Sequence, residues 1–240
     1  SNSVGTGSEM STTFTRSEAG TLSYIGRVNY AYANKYLLEF LFRSDASTKF
    51  APENYWGYFP SISAGWVVSE EEWFKRALPK VDFFKIRGSF GLTGRDNTTA
   101  WMWTQTYATD KDKGAPFGTG TSNNAGSHIT LNKNNSAVNY DAHWDKTYKS
   151  NLGFDINLLK NRLSINIDGY YEWNREMLLP YSASIPGIIG TMSAPINYGE
   201  MDSYGVELSV TWRDKIGKDF KYKVGINTGY NDNKVLVMDW

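Results

Sequence analysis

The sequence predicts an all-β fold: an antiparallel transmembrane β-barrel, present as about eight or more strands of a larger wall, with long extracellular loops and one short periplasmic helix. Three observations predict it. Apolar and polar residues alternate with period two along segment after segment. The segments run to roughly 9 to 13 residues, longer than a usual globular strand and long enough for a tilted crossing of a hydrocarbon layer. The connections between them alternate between short and long, as in barrels with short periplasmic turns and long outer loops.

In chain order, Leu22, Tyr24, Val28 and Tyr30 hold one parity against Arg27 and Asn29, and Tyr36, Leu38, Phe40 and Phe42 stand against Lys35, Glu39 and Arg43. Ala31 to Asn34 is the short turn between them. Beyond a long connection, Ser44 to Pro60, the next face is Ile62, Ala64, Trp66 and Val68. Ser69 with Glu72 three residues on, ahead of Trp73 and Phe74, predicts a capping box opening a helix of one or two turns that Pro79 ends. Phe84, Ile86, Phe90 and Leu92 then oppose Lys85, Arg87 and Ser89. After the longest connection, Thr93 to Lys146, Tyr148, Leu152, Phe154, Ile156 and Leu158 oppose Lys149, Asn151, Asp155 and Asn157.

The clearest alternation follows the turn Lys160-Asn161. Leu163, Ile165, Ile167, Gly169, Tyr171 and Trp173 lie against Arg162, Ser164, Asn166, Asp168 and Glu172, with Tyr170 the one exception. A helix would mix these sets. Past the long connection Asn174 to Asp202, Tyr204, Val206, Leu208, Val210 and Trp212 oppose Glu207, Ser209, Thr211 and Arg213. The turn Asp214 to Lys218 leads to Phe220, Tyr222, Val224, Ile226 and Tyr230 against Lys221, Lys223, Asn227 and Asn231. In a barrel, Arg27, Lys35, Glu39, Arg43, Lys85, Arg87, Lys149 and Asp168 would face a polar lumen. Tyr and Trp near the strand ends would form interfacial belts.

Composition narrows the function. Among 240 residues, Lys plus Arg and Asp plus Glu both number 25, so no basic surface offers itself to nucleic acid. Without cysteine there are neither disulfides nor thiolate metal sites. Mean hydropathy is −0.49, and no run approaches the roughly 18 apolar residues of a spanning helix; alternation hides a barrel from such an average. Ser1 to Ser8 lacks the basic and apolar regions of a signal peptide and reads as loop. His128, Asp141 and His143 are the only grouping suggestive of metal or acid–base chemistry, and they match no ligand spacing. The expectation is no enzyme, no catalytic residue, no metal and no cofactor.

The competing fold is a soluble β-sandwich, whose strands also alternate. Strand length, aromatics at strand ends and the rhythm of short and long connections speak against it. A second alternative is a small self-contained outer-membrane barrel serving as anchor or adhesin, since eight strands suffice for closure.

The runs Ser23-Tyr24-Ile25-Gly26-Arg27-Val28-Asn29-Tyr30 and Lys35-Tyr36-Leu37-Leu38-Glu39 are similar to strands of a known family. So are Arg43-Ser44-Asp45-Ala46-Ser47, Lys49-Phe50-Ala51-Pro52, Gly57-Tyr58-Phe59-Pro60-Ser61 and Gly65-Trp66. Ser69-Glu70-Glu71, Trp73-Phe74, Phe84-Lys85-Ile86-Arg87-Gly88-Ser89-Phe90-Gly91 and Thr93-Gly94 continue in order. Trp144-Asp145, Asn151-Leu152-Gly153-Phe154-Asp155 and Ser203-Tyr204-Gly205-Val206-Glu207-Leu208 follow. Together they resemble the SusC/RagA-type TonB-dependent outer-membrane transporters of Bacteroidetes. The resemblance implies a barrel of about 22 strands, a plug, energy coupling through TonB, a SusD-like surface lipoprotein and a glycan or peptide substrate, oligosaccharide foremost. It also implies residence in the outer membrane, in contact with lipid. Residues 1–240 then read as a barrel-domain segment without plug.

In an importer of this kind, Trp101, Trp103, Tyr107 and Trp144 in the longest outer loop are the candidate substrate contacts, stacking on sugar faces. The alternative is that Trp101 to Tyr107 is a further hairpin strand whose aromatics pack against neighbouring loops. Met177-Leu178-Leu179-Pro180 and Ile185-Pro186-Gly187-Ile188-Ile189 are apolar for a solvent loop, and predict a segment folded over the barrel mouth or docked on the lipoprotein.

Overall fold

The computed structural model describes residues 19–238 apart from 99, 102, 105–106, 111–114, 118–126, 132–137, 181–193 and 218; for 107–110, 115–117 and 127–131 it describes the backbone. Eight strands form one antiparallel sheet: β1 (Thr21–Tyr32), β2 (Tyr36–Ser47), β3 (Trp56–Val67), β4 (Val81–Arg95), β8 (Asp145–Leu158), β9 (Leu163–Leu179), β10 (Ile196–Ile216) and β11 (Phe220–Val237). Within the longest connection, β5 (Tyr107–Asp110), β6 (Ala115–Phe117) and β7 (Ser127–Leu131) make a small sheet in the order β5-β7-β6.

In the large sheet each strand pairs with the next in the chain, so the wall is an up-and-down meander. β1 and β11 are its two edges and do not pair with each other. The eight strands therefore leave an open wall, and the reading as a self-contained closed barrel is overturned.

The registers carry the alternation across the whole sheet. Leu38 faces Ala64, Ile62 faces Phe90, Ile86 faces Phe154, Phe154 faces Ile167 and Leu208 faces Ile167, all on one side. On the other, Glu39 faces Ser63, Ser63 faces Ser89, Ser89 faces Asn151, Asp155 faces Asn166 and Asp168 faces Glu207. A sandwich would cover the apolar side. Here Leu152, near the centre of the sheet, is 51% exposed and Ile62 47%. Buried apolar side chains collect instead at the two ends: Phe50, Ala51, Phe59, Ala142 and Ala194 at the long-loop end, Val67, Val68 and Phe74 at the other. An uncovered apolar face of this extent is unfavourable in water by about 25 cal/mol per Å², and belongs in hydrocarbon.

Aromatic rings edge that face at both ends. Tyr24 stacks on Trp56 at 6.0 Å, Phe42 on Tyr58 at 6.3 Å and Tyr171 on Tyr204 at 5.8 Å, forming an outer belt. Tyr36 stacks on both Tyr32 and Trp66 at 6.4 Å, beginning an inner belt. The eight steps from Tyr24 to Tyr32, at about 3.3 Å each and a tilt of about 40°, separate the belts by about 20 Å, near the height of a barrel's apolar band. We take the strand portions between the belts as the membrane-spanning segments.

Local rules explain the short connections. Ala33 and Asn34 both take positive φ (51° and 54°), and the Lys35 N–H donates to the Tyr32 carbonyl at 3.0 Å, closing a type I′ hairpin turn. At the next hairpin on this side Leu159, Lys160 and Asn161 are all left-handed, and Asp82 accepts the Asn161 N–H at 2.9 Å.

Several expectations need correcting. The helix α1 (Glu72–Ala77) does form and stops just before Pro79, but Glu71, not Ser69, is its N-cap, and no side chain caps it. Ser69 sits in a preceding 3-10 turn, Val68–Glu70, with its hydroxyl buried and unpaired. Pro60 is not in a loop: it lies in β3 opposite Phe42, one residue before the ladder to β4 starts at Ser61, a position where a missing amide is tolerated. At the outer end the strands outrun the predicted boundaries. β9 continues to Leu179 and β10 begins at Ile196, so Met177 to Leu179 pair with the stretch from Ile196 to Gly199 instead of forming loop. Two register shifts flank Gly199 and break the period-two pattern there. The predicted loop at 185–189 lies outside the described residues. Trp101 and Trp103 occupy turns rather than a hairpin strand, which begins at Tyr107.

Candidate functional site

The polar face of the wall is a lattice of cross-strand ion pairs. Arg87 on β4 reaches Asp155 on β8 at 3.2 Å and Asp168 on β9 at 2.6 Å, so one guanidinium ties three strands. Lys149 meets Glu172 at 2.7 Å, and Arg27 lies 3.8 Å from Glu39. Glycines make this lattice possible. A Cβ on Gly153 would stand 2.6 Å from the Arg87 Cζ, and one on Gly205 would stand 2.7 Å from the Tyr170 ring. Tyr170, the exception to the alternation, is thus an aromatic lying flat over a neighbouring glycine on the polar side. On the apolar face Gly26 and Gly169 have nothing within 4 Å of such a Cβ.

Lys35 departs from the expected lumen-facing set. It ends in the turn before β2, and its Nζ turns to Glu71 at 3.1 Å. The Glu71 carboxylate also accepts from the Tyr36 hydroxyl at 2.8 Å and the Trp66 indole at 3.3 Å, two members of the inner belt. Hydrogen bonds from Tyr36 and Lys35 hold this carboxyl below its ordinary range.

At the outer end the polar face opens into a cavity of about 670 Å³, whose walls include Arg43, Asp45, Lys49, Arg95, Asp96 and Trp144. Arg43 binds Asp45 at 2.6 Å and Lys49 binds Asp96 at 3.2 Å, while the Ser47 hydroxyl donates to Asp96 at 3.0 Å. Arg95 donates to Asn174 at 3.0 Å, and Asn174 accepts from Thr147 at 2.8 Å. Donors, acceptors and two aromatic rings, Phe59 and Trp144, thus line a single hollow, the equipment for binding a polar solute.

The candidate aromatics divide. Trp144 packs against Phe50 and Phe59, each with ring centroids 5.5 Å away, and its indole donates to the Tyr55 carbonyl at 3.1 Å. Trp103 donates to the Thr48 carbonyl at 3.5 Å, so both indoles grip the connection between β2 and β3. Trp101 touches Trp103 at 5.9 Å and is 45% exposed. Tyr107 opens β5, and its side chain lies outside the described residues.

Other residues knit the outer connections, and sequence reasoning missed them. Asn197 donates to the carbonyls of His143 and Glu176 at 2.9 and 2.7 Å, and accepts from the His143 N–H at 3.1 Å. His143 bonds Glu176 at 2.8 Å, not the Asp141 carboxylate, and Lys146 joins at 2.7 Å. Desolvation pushes the Glu176 carboxyl up, but hydrogen bonds from Lys146 and His143 outweigh it and hold it below its usual range. Burial pushes Asp145 above its range, although it accepts the Leu178 N–H at 2.8 Å. None of these pairs shows in a local pattern, since the partners are tens of residues apart.

Known proteins share both this sequence and this wall. Over 219 residues the chain is 32% identical to the TonB-dependent receptor SusC of Bacteroides thetaiotaomicron, matching 89% of this chain and 20% of that protein. Along most of its length it resembles the SusC-type TonB-dependent receptors. A second receptor, P39 of Formosa agariphila, is 29% identical over 228 residues, 95% of this chain and 20% of that protein. The structure of the RagAB peptide importer in its open-open state superposes with a TM-score of 0.78 at 22% identity, covering 92% of this chain and 22% of the other. The siderophore receptor PirA of Pseudomonas aeruginosa superposes at 0.52 with 11% identity, 90% of this chain and 35% of that one. No protein-family model matches. The chain spans about a fifth of the length of these curated receptors. Its place is the outer membrane.

Proposed function

We propose that residues 1–240 are a segment of a receptor's barrel domain, and that this receptor imports a nutrient across the outer membrane, with oligosaccharide as the cargo class. The observation that carries the reading is the two-faced wall: belted apolar rows on one side, an ion-paired polar face on the other, opening at the long-loop end into a hollow lined by Arg43, Asp45, Asp96 and Trp144. In this reading TonB supplies the energy through a plug outside this segment, and a SusD-like lipoprotein covers the mouth. Lipid bathes the apolar rows. Trp101, Trp103, Tyr107 and Trp144 contribute aromatic surface near the mouth, Trp101 being the exposed one of the pair it forms with Trp103. The receptor carries out no bond chemistry of its own. A peptide cargo is the second reading, favoured by the paired charges of the hollow, which match a zwitterionic backbone as well as hydroxyls.

The test is genetic. Deleting the reading frame that encodes this chain in its host should abolish growth on one oligosaccharide class while simple sugars still support it, and TonB depletion should reproduce the loss. Trp101→Ala should lower uptake at limiting substrate with the receptor still at full level in the membrane. Undiminished uptake of every oligosaccharide and peptide offered to the deletion strain would refute the importer reading; loss of peptide uptake alone would transfer the cargo to the second reading.

A further inference from the structure

The short helix α1 is not a lumen element. Phe74, 6% exposed, stacks on Phe84 at 5.6 Å, and Phe84 stacks on Phe154 at 6.5 Å. Phe84 and Phe154 both carry the lipid-side parity, since Phe84 faces Ile156 and Ile86 faces Phe154. The helix is therefore folded back over the outside of the wall. Glu71, immediately before it, is tied to Tyr36 and Trp66 of the inner belt by the bonds described above, which fixes the same placement independently. The strands it connects, β3 and β4, and their neighbours β2 and β8 all lie in the described sheet.

What lies exposed is a mixed surface. Trp73 is 58% exposed although its ring meets Phe74 edge-on at 5.7 Å, and Leu78 is 50% exposed. Lys75 is engaged by Glu70 at 3.0 Å, whereas Arg76 and Lys80, both exposed, form no ion pair among the described residues. Trp beside the end of an apolar band, with long cations next to it, is the chemistry of the membrane interface.

We propose that the segment from Glu71 to Lys80 is an interfacial anchor seated on the periplasmic leaflet: Trp73 and Leu78 enter the boundary of the acyl chains, and Arg76 and Lys80 take phospholipid phosphates. Two observations select lipid as the occupant. The exposed apolar residues are continuous with the lipid-facing row through Phe74, Phe84 and Phe154, and two cations, Arg76 and Lys80, stand beside them against one carboxylate, Glu72, likewise exposed and outside any ion pair among the described residues. Glu71 is the latch, holding the helix against the belt so that Trp73 stays at interface depth. The proposal rests on the membrane placement of the wall and is independent of the cargo.

The experiment uses the full-length receptor in vesicles of phosphatidylethanolamine and phosphatidylglycerol. Cysteines placed singly by Trp73→Cys, Leu78→Cys, Val28→Cys and Glu53→Cys carry an environment-sensitive fluorophore. Val28 lies mid-wall on the lipid side and Glu53 on an outer connection. Brominated acyl chains should quench the labels at 73 and 78 about as strongly as the label at 28, and the emission of both should shift blue, whereas aqueous iodide should quench only the label at 53. A label at 73 that iodide quenches as it does at 53 overturns the proposal. One shielded from both quenchers overturns it too, by showing a protein surface over the helix. Failure of brominated chains to quench the label at 28 would remove the membrane placement itself, and the proposal with it.

Discussion

Replacing Gly153 by alanine tests whether the polar face is built on glycines that make room for their neighbours. The new Cβ would stand 2.6 Å from the Arg87 Cζ and 2.8 Å from its Nε and Nη1. Carbon contacts settle near 3.5 Å or more, so the guanidinium must retreat by about 1 Å. That movement stretches the 2.6 Å bond to Asp168 and the 3.2 Å bond to Asp155 together. A hydrogen bond to a charged group contributes about 1.5–3 kcal/mol. The Arg87 side chain is 36% exposed, and water recovers part of the loss, leaving about 1–2 kcal/mol. In the intact receptor this should appear as unfolding in SDS accelerated by a factor of up to about 5–30, followed as loss of the compact band on unheated gels. The same substitution made in an Arg87→Met background should cost almost nothing further, because the group it displaces is gone. If Gly153→Ala is as damaging there as in the parent, the guanidinium is not what the glycine accommodates, and the argument fails.

Adjacent residues on opposite faces should respond oppositely. Leu208→Arg, on the lipid side between the belts, should destabilise the receptor by about 2–4 kcal/mol; Ser209→Arg, on the polar side, should stay within about 0.5 kcal/mol, both read from urea unfolding in vesicles. Glu71 is held below its ordinary pKa by Tyr36 and Lys35. Its contribution to docking α1 is therefore complete above the unfolded carboxyl's pKa and is lost as pH falls through the lower folded value. Hydrogen exchange at 68–78 should accelerate over that acidic window, and Glu71→Gln should abolish the pH dependence. Trp144→Ala removes ring contacts to Phe50 and Phe59 and the bond to Tyr55; for a half-buried ring this is about 2 kcal/mol. It should speed proteolytic nicking of the connection at 48–55 while sparing the strands.

Which parts of this were legible follows from the range of the forces involved. The alternation of Leu163, Ile165 and Ile167 against Ser164, Asn166 and Asp168 is set by the pleat and by two solvents, one on each side, so each residue reports its own face. The short turns were equally local. The boundaries at the outer end were not, because the register shifts beside Gly199 carry the strands past the point where the pattern stops. Ser69 and Glu72 had the right spacing for a cap, yet Tyr36 of the belt, 35 positions upstream, supplied a partner for Glu71. Lys35 had lumen parity, and the same carboxylate drew it to the rim. The outer knot around Asn197 joins the ends of β9 and β10 to the connection that carries His143, and no window along the chain contains it.

The recumbent side chains of the polar face bear on how wide the passage can be. Tyr170 lies across Gly205, and Phe59 lies over both Gly57 and Gly94. A ring on its side narrows the bore by its thickness, whereas an upright tyrosine would narrow it by its full length. Any larger residue at Gly205 would press on the Tyr170 ring and on the Tyr230 carbonyl of the next strand alike, each 2.7 Å from the new Cβ, so clearance at that height is governed by a residue that has no side chain at all.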